Sequence, residues 1–83
     1  MIGMTEQKIQ AKRIKQLEAE GYFVIKLIST NKNGIPDLLA LKVGSILFSE
    51  IKTSIGVLSE LQKYRLKELK KYGFETEVYR GDV

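Results

Sequence analysis

At 83 residues, with 43% apolar and 29% charged side chains, the chain has the make-up of one small globular domain spanning 1–83, near the size where a core barely sustains itself. Cysteine and histidine are both absent, which excludes disulfides, thiolate or imidazole zinc sites, Ser-His-Asp triads and histidine general bases. Any catalysis then rests on Asp, Glu, Lys, Tyr, Ser or Gln, and any metal on hard oxygen ligands that favour Mg²⁺ or Mn²⁺. The net charge of +4 and the pI near 9.4 lean towards polyanions such as nucleic acid. No apolar run approaches the roughly 20 residues of a membrane span, and "MIGMTEQK" lacks an apolar signal core, so a cytoplasmic location is expected.

"TEQKIQAKRIKQLEAEG" reads as a helix from about Thr5 to Glu20, with Thr5 as N-cap and Gly21 as its stop. "YFVIKLIST" is β-branched and aromatic and reads as a strand, followed by the loop "NKNGIP". "DLLALK" and "SILFSEIK" read as two strands joined at Val43-Gly44. "TSIGVL" leads into a second helix from about Ser59 to Tyr72, where Ser59 and Gln62 form an S-x-x-Q capping box and Gly73 ends the helix. "FETEVYR" alternates polar and apolar residues like a final strand at a sheet edge. The predicted order is αβββαβ: an α/β fold with a small mixed sheet, a helix on each side and no internal repeat.

The segment "FSEIK" (Phe48–Lys52) places Glu50 and Lys52 on one face of a strand that otherwise looks like core. A short symmetric loop at Val43-Gly44 pairs Lys42 with Ser45 and therefore Asp37 with Glu50. Their Cβ atoms would lie about 5 Å apart, a destabilising placement unless positive charge intervenes. A divalent cation with oxygen ligands fits that gap. A strand-end ion pair between Glu50 and Lys52 is the plainer alternative. On the same face Leu39, Leu41, Ile46 and Phe48 are expected to form a core patch, while Leu38, Ala40, Leu47 and Ile51 make the other face apolar as well. Helical periodicity puts Glu6, Gln10 and Arg13 in the inner arc of the first helix with Ile9, Ile14 and Leu17. In the second helix it places Gln62 and Arg65 in an arc marked by Leu58, Leu61, Leu66, Leu69 and Tyr72. Gln62 is explained equally well by its capping box or by the site. Glu6 suits a helix N-terminus through the dipole, and Arg13 and Arg65 suit partnership with carboxylates or phosphates.

"GIPDLL", then "FSEIK", then "GVLSELQ" together resemble the PD-(D/E)XK nuclease superfamily, and within it the virus-type replication-repair nuclease (VRR-NUC) family. The resemblance spans nearly the whole chain, including the acidic residue of the leading helix. It implies that Asp37 and Glu50 ligate Mg²⁺ or Mn²⁺ with the backbone carbonyl of Ile51. Lys52 would position or deprotonate the attacking water. Glu6 would be an outer acidic member, binding metal directly or through water, and Gln62 would orient a group at the site. Lys26, on the first strand, would also reach the site, and with Lys32, Arg13, Lys63 and Arg65 it makes the expected nucleic-acid contacts. The implied function is metal-dependent, structure-selective hydrolysis of DNA phosphodiester bonds, with four-way (Holliday) junctions as leading substrate. A homodimer is expected, both from the family and from the two apolar sheet faces of so short a chain. The alternatives are a non-catalytic nucleic-acid-binding module of the same fold, or a nuclease acting on flaps, duplex ends or RNA.

Overall fold

The computed structural model describes residues 5–81. The elements run α1 (Glu6–Ala19), β1 (Phe23–Lys26), β2 (Leu38–Lys42), β3 (Ser45–Lys52), α2 (Glu60–Lys71) and β4 (Glu75–Arg80). This is the αβββαβ order expected from the sequence. The strands form one mixed sheet in the order β1-β2-β3-β4. β1, β2 and β3 are successively antiparallel, and β4 lies parallel to β3 after the crossover through α2. None of the described helices is long and apolar enough to cross a membrane.

The helix ends follow local chemistry. Thr5 extends its backbone and accepts from the Lys8 N–H with its side chain, capping α1. Ser59 caps α2 through a reciprocal box: its hydroxyl accepts from the Gln62 N–H, and the Gln62 side chain accepts from the Ser59 N–H. The β2–β3 turn is two residues long, with Lys42 opposite Ser45. Only Gly44 takes a positive φ there, +78°, a conformation that a side chain disfavours.

Alternation then decides which face is the core. Leu38, Ala40, Leu47 and Ile51 are buried together with Ile9 and Leu17 of α1. Burial of this kind stabilises by about 1.5–3 kcal/mol per large aliphatic side chain. The expected core patch of Leu39, Leu41, Ile46 and Phe48 is the other face, and it is only half-covered. The expectation of a core there is corrected for a physical reason. Both faces are apolar in sequence, but α1 seals the first, whereas α2 sits over the second towards β4.

Two further expectations change in the same way. In α2 only Leu66 is buried, and Tyr72, expected in the buried arc, is the exposed C-cap. The first strand stops at Lys26 rather than continuing through Thr30. Its partner β2 begins at Leu38, so after the Leu27 N–H donates to the Asp37 carbonyl at 2.8 Å there is no further ladder.

A polar network ties α1 to the sheet on the buried face. Arg13 donates from Nε and Nη2 to the two carboxylate oxygens of Glu77, each at 2.9 Å. The fully buried Ser49 hydroxyl donates to Glu77 Oε2 at 2.6 Å. The Arg13 guanidinium also stacks over the Tyr79 ring, 4.5 Å from its centroid. A bidentate pair of this type fixes orientation as well as charge, so α1 is held at a set angle over β3 and β4.

Candidate functional site

The hairpin register brings the acidic residues together. Leu38 pairs with Ser49, so Asp37 and Glu50 are the next residues outward and share the face that α2 overlies. Asp37 Oδ2 accepts from the Ile51 N–H at 2.8 Å, which fixes the Asp37 carboxylate against β3. Glu50 is buried, at 3% exposure. Burial first, then the charge and hydrogen bonding of Asp37, push its carboxyl up to about 8, and Lys52 opposes this only partly. A carboxyl so raised favours its protonated form at neutral pH in the absence of a cation.

Lys52 follows Glu50 on the same face, half-buried, with its stem packed close to Gly56. The ion pairs formed among the described residues are Arg13–Glu77, Lys63–Glu60 and Arg65–Glu68. Glu50 and Lys52 form no such pair, and the strand-end ion pair falls away as an explanation of "FSEIK".

Gln62 makes both of the contacts that its position allowed. Its Oε1 accepts from the Ser59 N–H at 2.9 Å to close the cap, and its Nε2 donates to Glu50 Oε2 at 3.3 Å. The N-terminal turn of α2 is thereby attached to the acidic pair.

Glu6 stands in the first turn of α1, exposed, and acts on Glu50 only as the smallest of the influences that raise its pKa. Among the described residues no three acidic side chains are grouped closely enough to hold one ion. Glu6 thus stands outside the Asp37–Glu50 pair.

The basic residues divide. Arg13 is committed to Glu77 and Tyr79, the carboxylate alternative of the two kinds of partner expected for it. Arg65 donates to the Asn33 carbonyl and to Glu68, both at 2.9 Å. It braces the "GIPD" loop against α2, and Glu68 is the carboxylate alternative of the two kinds of partner expected for it. Gly34 makes this bracing possible: its φ is +77°, and a Cβ there would stand 2.7 Å from Leu61 Cγ. Lys26 pairs with Leu38 and so lies on the face opposite Asp37 and Glu50; the expectation that it reaches the site is corrected by strand parity. Lys32 and Lys63 are exposed, Lys63 in a surface pair with Glu60. Sequence reasoning missed Arg80, whose Nη1 donates to the carbonyls of Thr53 (3.0 Å) and Gly56 (2.6 Å), pinning the loop after β3. Its place in a strand two residues past Val78, opposite Lys52, was the available signal.

The donor chemistry suits a hard divalent cation. Two adjacent carboxylates, one forced to keep a proton, offer oxygen ligands whose mutual repulsion a cation would relieve. The VRR-NUC domain model matches residues 4–83 of the chain. No curated protein matches it.

Proposed function

The chain belongs to the VRR-NUC family, and from that premise we propose that it is a divalent-metal-dependent nuclease that hydrolyses DNA phosphodiester bonds at branched structures, with four-way junctions as leading substrate. The observation that carries the reading is the buried Glu50, raised to about 8 beside Asp37, with Lys52 on the same strand face. Perturbed carboxylates of this kind concentrate at functional sites.

In this reading Asp37, Glu50 and the backbone carbonyl of Ile51 hold Mg²⁺ or Mn²⁺, with Glu6 contributing through water. Such an ion, when bound there, would supply Lewis-acid charge at the scissile phosphate and lower the pKa of the attacking water. The chain's own groups prepare the rest. The Ile51 N–H holds one Asp37 oxygen and leaves the other for binding. Gln62 orients Glu50. The Lys52 ammonium, held by its packed stem, orients the water and offsets charge on the phosphate. Lys32 and Lys63 follow the phosphate backbone, contacts that position the substrate without reading its sequence. The half-covered sheet face, with Phe23 68% exposed, supports the further proposal that two copies associate into a homodimer, which a molar-mass measurement in solution checks.

The test is a panel of labelled four-way junction, flap, linear duplex and RNA substrates incubated with Mg²⁺, Mn²⁺ or EDTA. The reading expects metal-dependent cutting with branched DNA ranked first. Tight binding without cutting of any substrate would replace it with a non-catalytic binding module.

A further inference from the structure

Three of the four large aliphatic side chains that are more than three-quarters exposed, among the described residues, lie at one end of the molecule. They are Ile28 (87%), Ile55 (87%) and Val57 (79%); the fourth, Val43, is at the β2–β3 turn. Ile28 sits on the loop from β1 to β2, and Ile55 and Val57 on the loop from β3 to α2. Because β1 and β3 both run antiparallel to β2, these two loops leave the same end of the sheet. That is the end where Asp37, Glu50 and Lys52 stand.

Single exposed aliphatics need no explanation. These are set on loops that the protein takes trouble to fix. The Arg80 guanidinium bridges the Thr53 and Gly56 carbonyls around Ile55, and the Gly56 N–H closes the same turn on the Thr53 carbonyl at 3.2 Å. Arg65 holds the Asn33 carbonyl of the other loop, and Thr30 Oγ1 donates to the Lys32 carbonyl at 2.6 Å. Turn tips ordinarily carry Gly, Asn, Asp or Ser; here the turn held by Arg80 presents Ile55 to water, while Ile28 stands just past the end of β1. Apart from Asp37 of the adjacent site, neither the 27–37 loop nor the 53–59 loop contains an acidic residue, and the first carries Lys32. Apolar tips in a neutral-to-basic setting fit a polyanion whose apolar base faces can be exposed.

Resting on the nuclease reading of the adjacent site, we infer that Ile28, Ile55 and Val57 form an apolar wedge that enters an opened base step next to the scissile phosphate and thereby selects branched DNA. Insertion of aliphatic side chains between bases requires unstacking. At a branch point the stack is already interrupted, so the wedge enters there at less cost than in continuous duplex. Selection by structure then needs no contact to base edges.

The experiment compares wild type with the triple variant Ile28→Ser, Ile55→Ser, Val57→Ser, whose changes are all at exposed positions. The probe is a four-way junction, and a matched linear duplex, each with 2-aminopurine at the branch-proximal base, in Ca²⁺ to read binding and in Mn²⁺ to read cutting. The wedge predicts that wild type raises 2-aminopurine fluorescence on the junction and that the triple variant loses most of the rise. It also predicts that the variant's preference for cutting junction over duplex falls by about tenfold, the scale of a lost base-stacking contact. An unchanged rise and an unchanged preference in the variant would overturn the wedge, as would a wild type that cuts DNA without any rise. A wild type that gives the rise but cuts nothing would leave the wedge standing and remove the nuclease reading.

Discussion

Gln62 Nε2 donates to Glu50 Oε2 at 3.3 Å while Gln62 Oε1 closes the cap of α2. One side chain thus couples the start of a helix to a buried carboxyl. The two contacts separate under substitution. Gln62→Glu keeps an acceptor for the Ser59 N–H, so the capping box survives. It also replaces the donor facing Glu50 with a third acid. The expected outcome is a thermal stability near that of wild type at pH 6 and a DNA-cutting rate lowered about tenfold or more, the scale of a lost oriented hydrogen bond. Gln62→Ala should lower both, with about 1 kcal/mol lost from the cap. Urea melts and single-turnover cleavage of the same preparations check this.

Glu50 makes the metal-free protein sensitive to pH in an unusual direction. Its carboxyl is raised in the folded state from 4.5 to about 8, so between those values the folded state binds more protons than the unfolded one. Stability is therefore full below about pH 4.5, as far as this group contributes, and is lost as pH rises towards 8, by at most about 1.4 kcal/mol per pH unit. The absence of histidine leaves few other groups titrating in that window. Urea unfolding in EDTA from pH 5.5 to 8 should show the decline, and Glu50→Gln should flatten it.

A divalent cation should reverse that decline. Mg²⁺ or Mn²⁺ binding to the folded state alone raises Tm, and the rise should be larger at pH 8 than at pH 6, because the Glu50 proton must leave first. Asp37→Asn and Glu50→Gln should each abolish the metal-induced shift while remaining folded. A thermal-shift titration at the two pH values measures it.

Arg13 should behave as a structural residue. Arg13→Ala leaves Glu77 without its cation on the sealed face, with only the Ser49 hydroxyl still donating to it, at a cost of about 2 kcal/mol or more. The salt dependence of DNA binding should stay unchanged, since no phosphate contact is lost. Lys32→Ala should do the reverse, with unaltered stability and a shallower slope of log affinity against log salt, by about one unit. Binding titrations at several salt concentrations tell them apart.

Much of this arrangement was legible in the residues. The two-residue turn at Val43-Gly44 was enough to pair Lys42 with Ser45, and the register follows from it. Ser59 and Gln62 announced the cap. Face assignment was not legible, because Leu38, Ala40, Leu47 and Ile51 alternate with Leu39, Leu41, Ile46 and Phe48, and both sets are apolar. Only the packing of Ile9 and Leu17 distinguishes them. The same parity removed Lys26 from the site. Long side chains were the other blind spot. Helical periodicity located Arg13 and Arg65 but could not choose between phosphate and carboxylate partners; the structure supplies Glu77 from a strand sixty-four residues away and Glu68 from one helical turn away. Arg80 belongs to the same class, since its partners are backbone carbonyls that leave no mark in sequence.

The most direct test of the central claim is single-turnover cleavage of a labelled four-way junction by wild type, Glu50→Gln and Lys52→Ala in Mn²⁺, with circular dichroism confirming that each is folded. Cutting by wild type that disappears in EDTA, and that falls at least about a hundredfold in both variants, is the predicted result. Equal cutting by folded Glu50→Gln protein would contradict the account, because the carboxyl on which the site is built would then be dispensable.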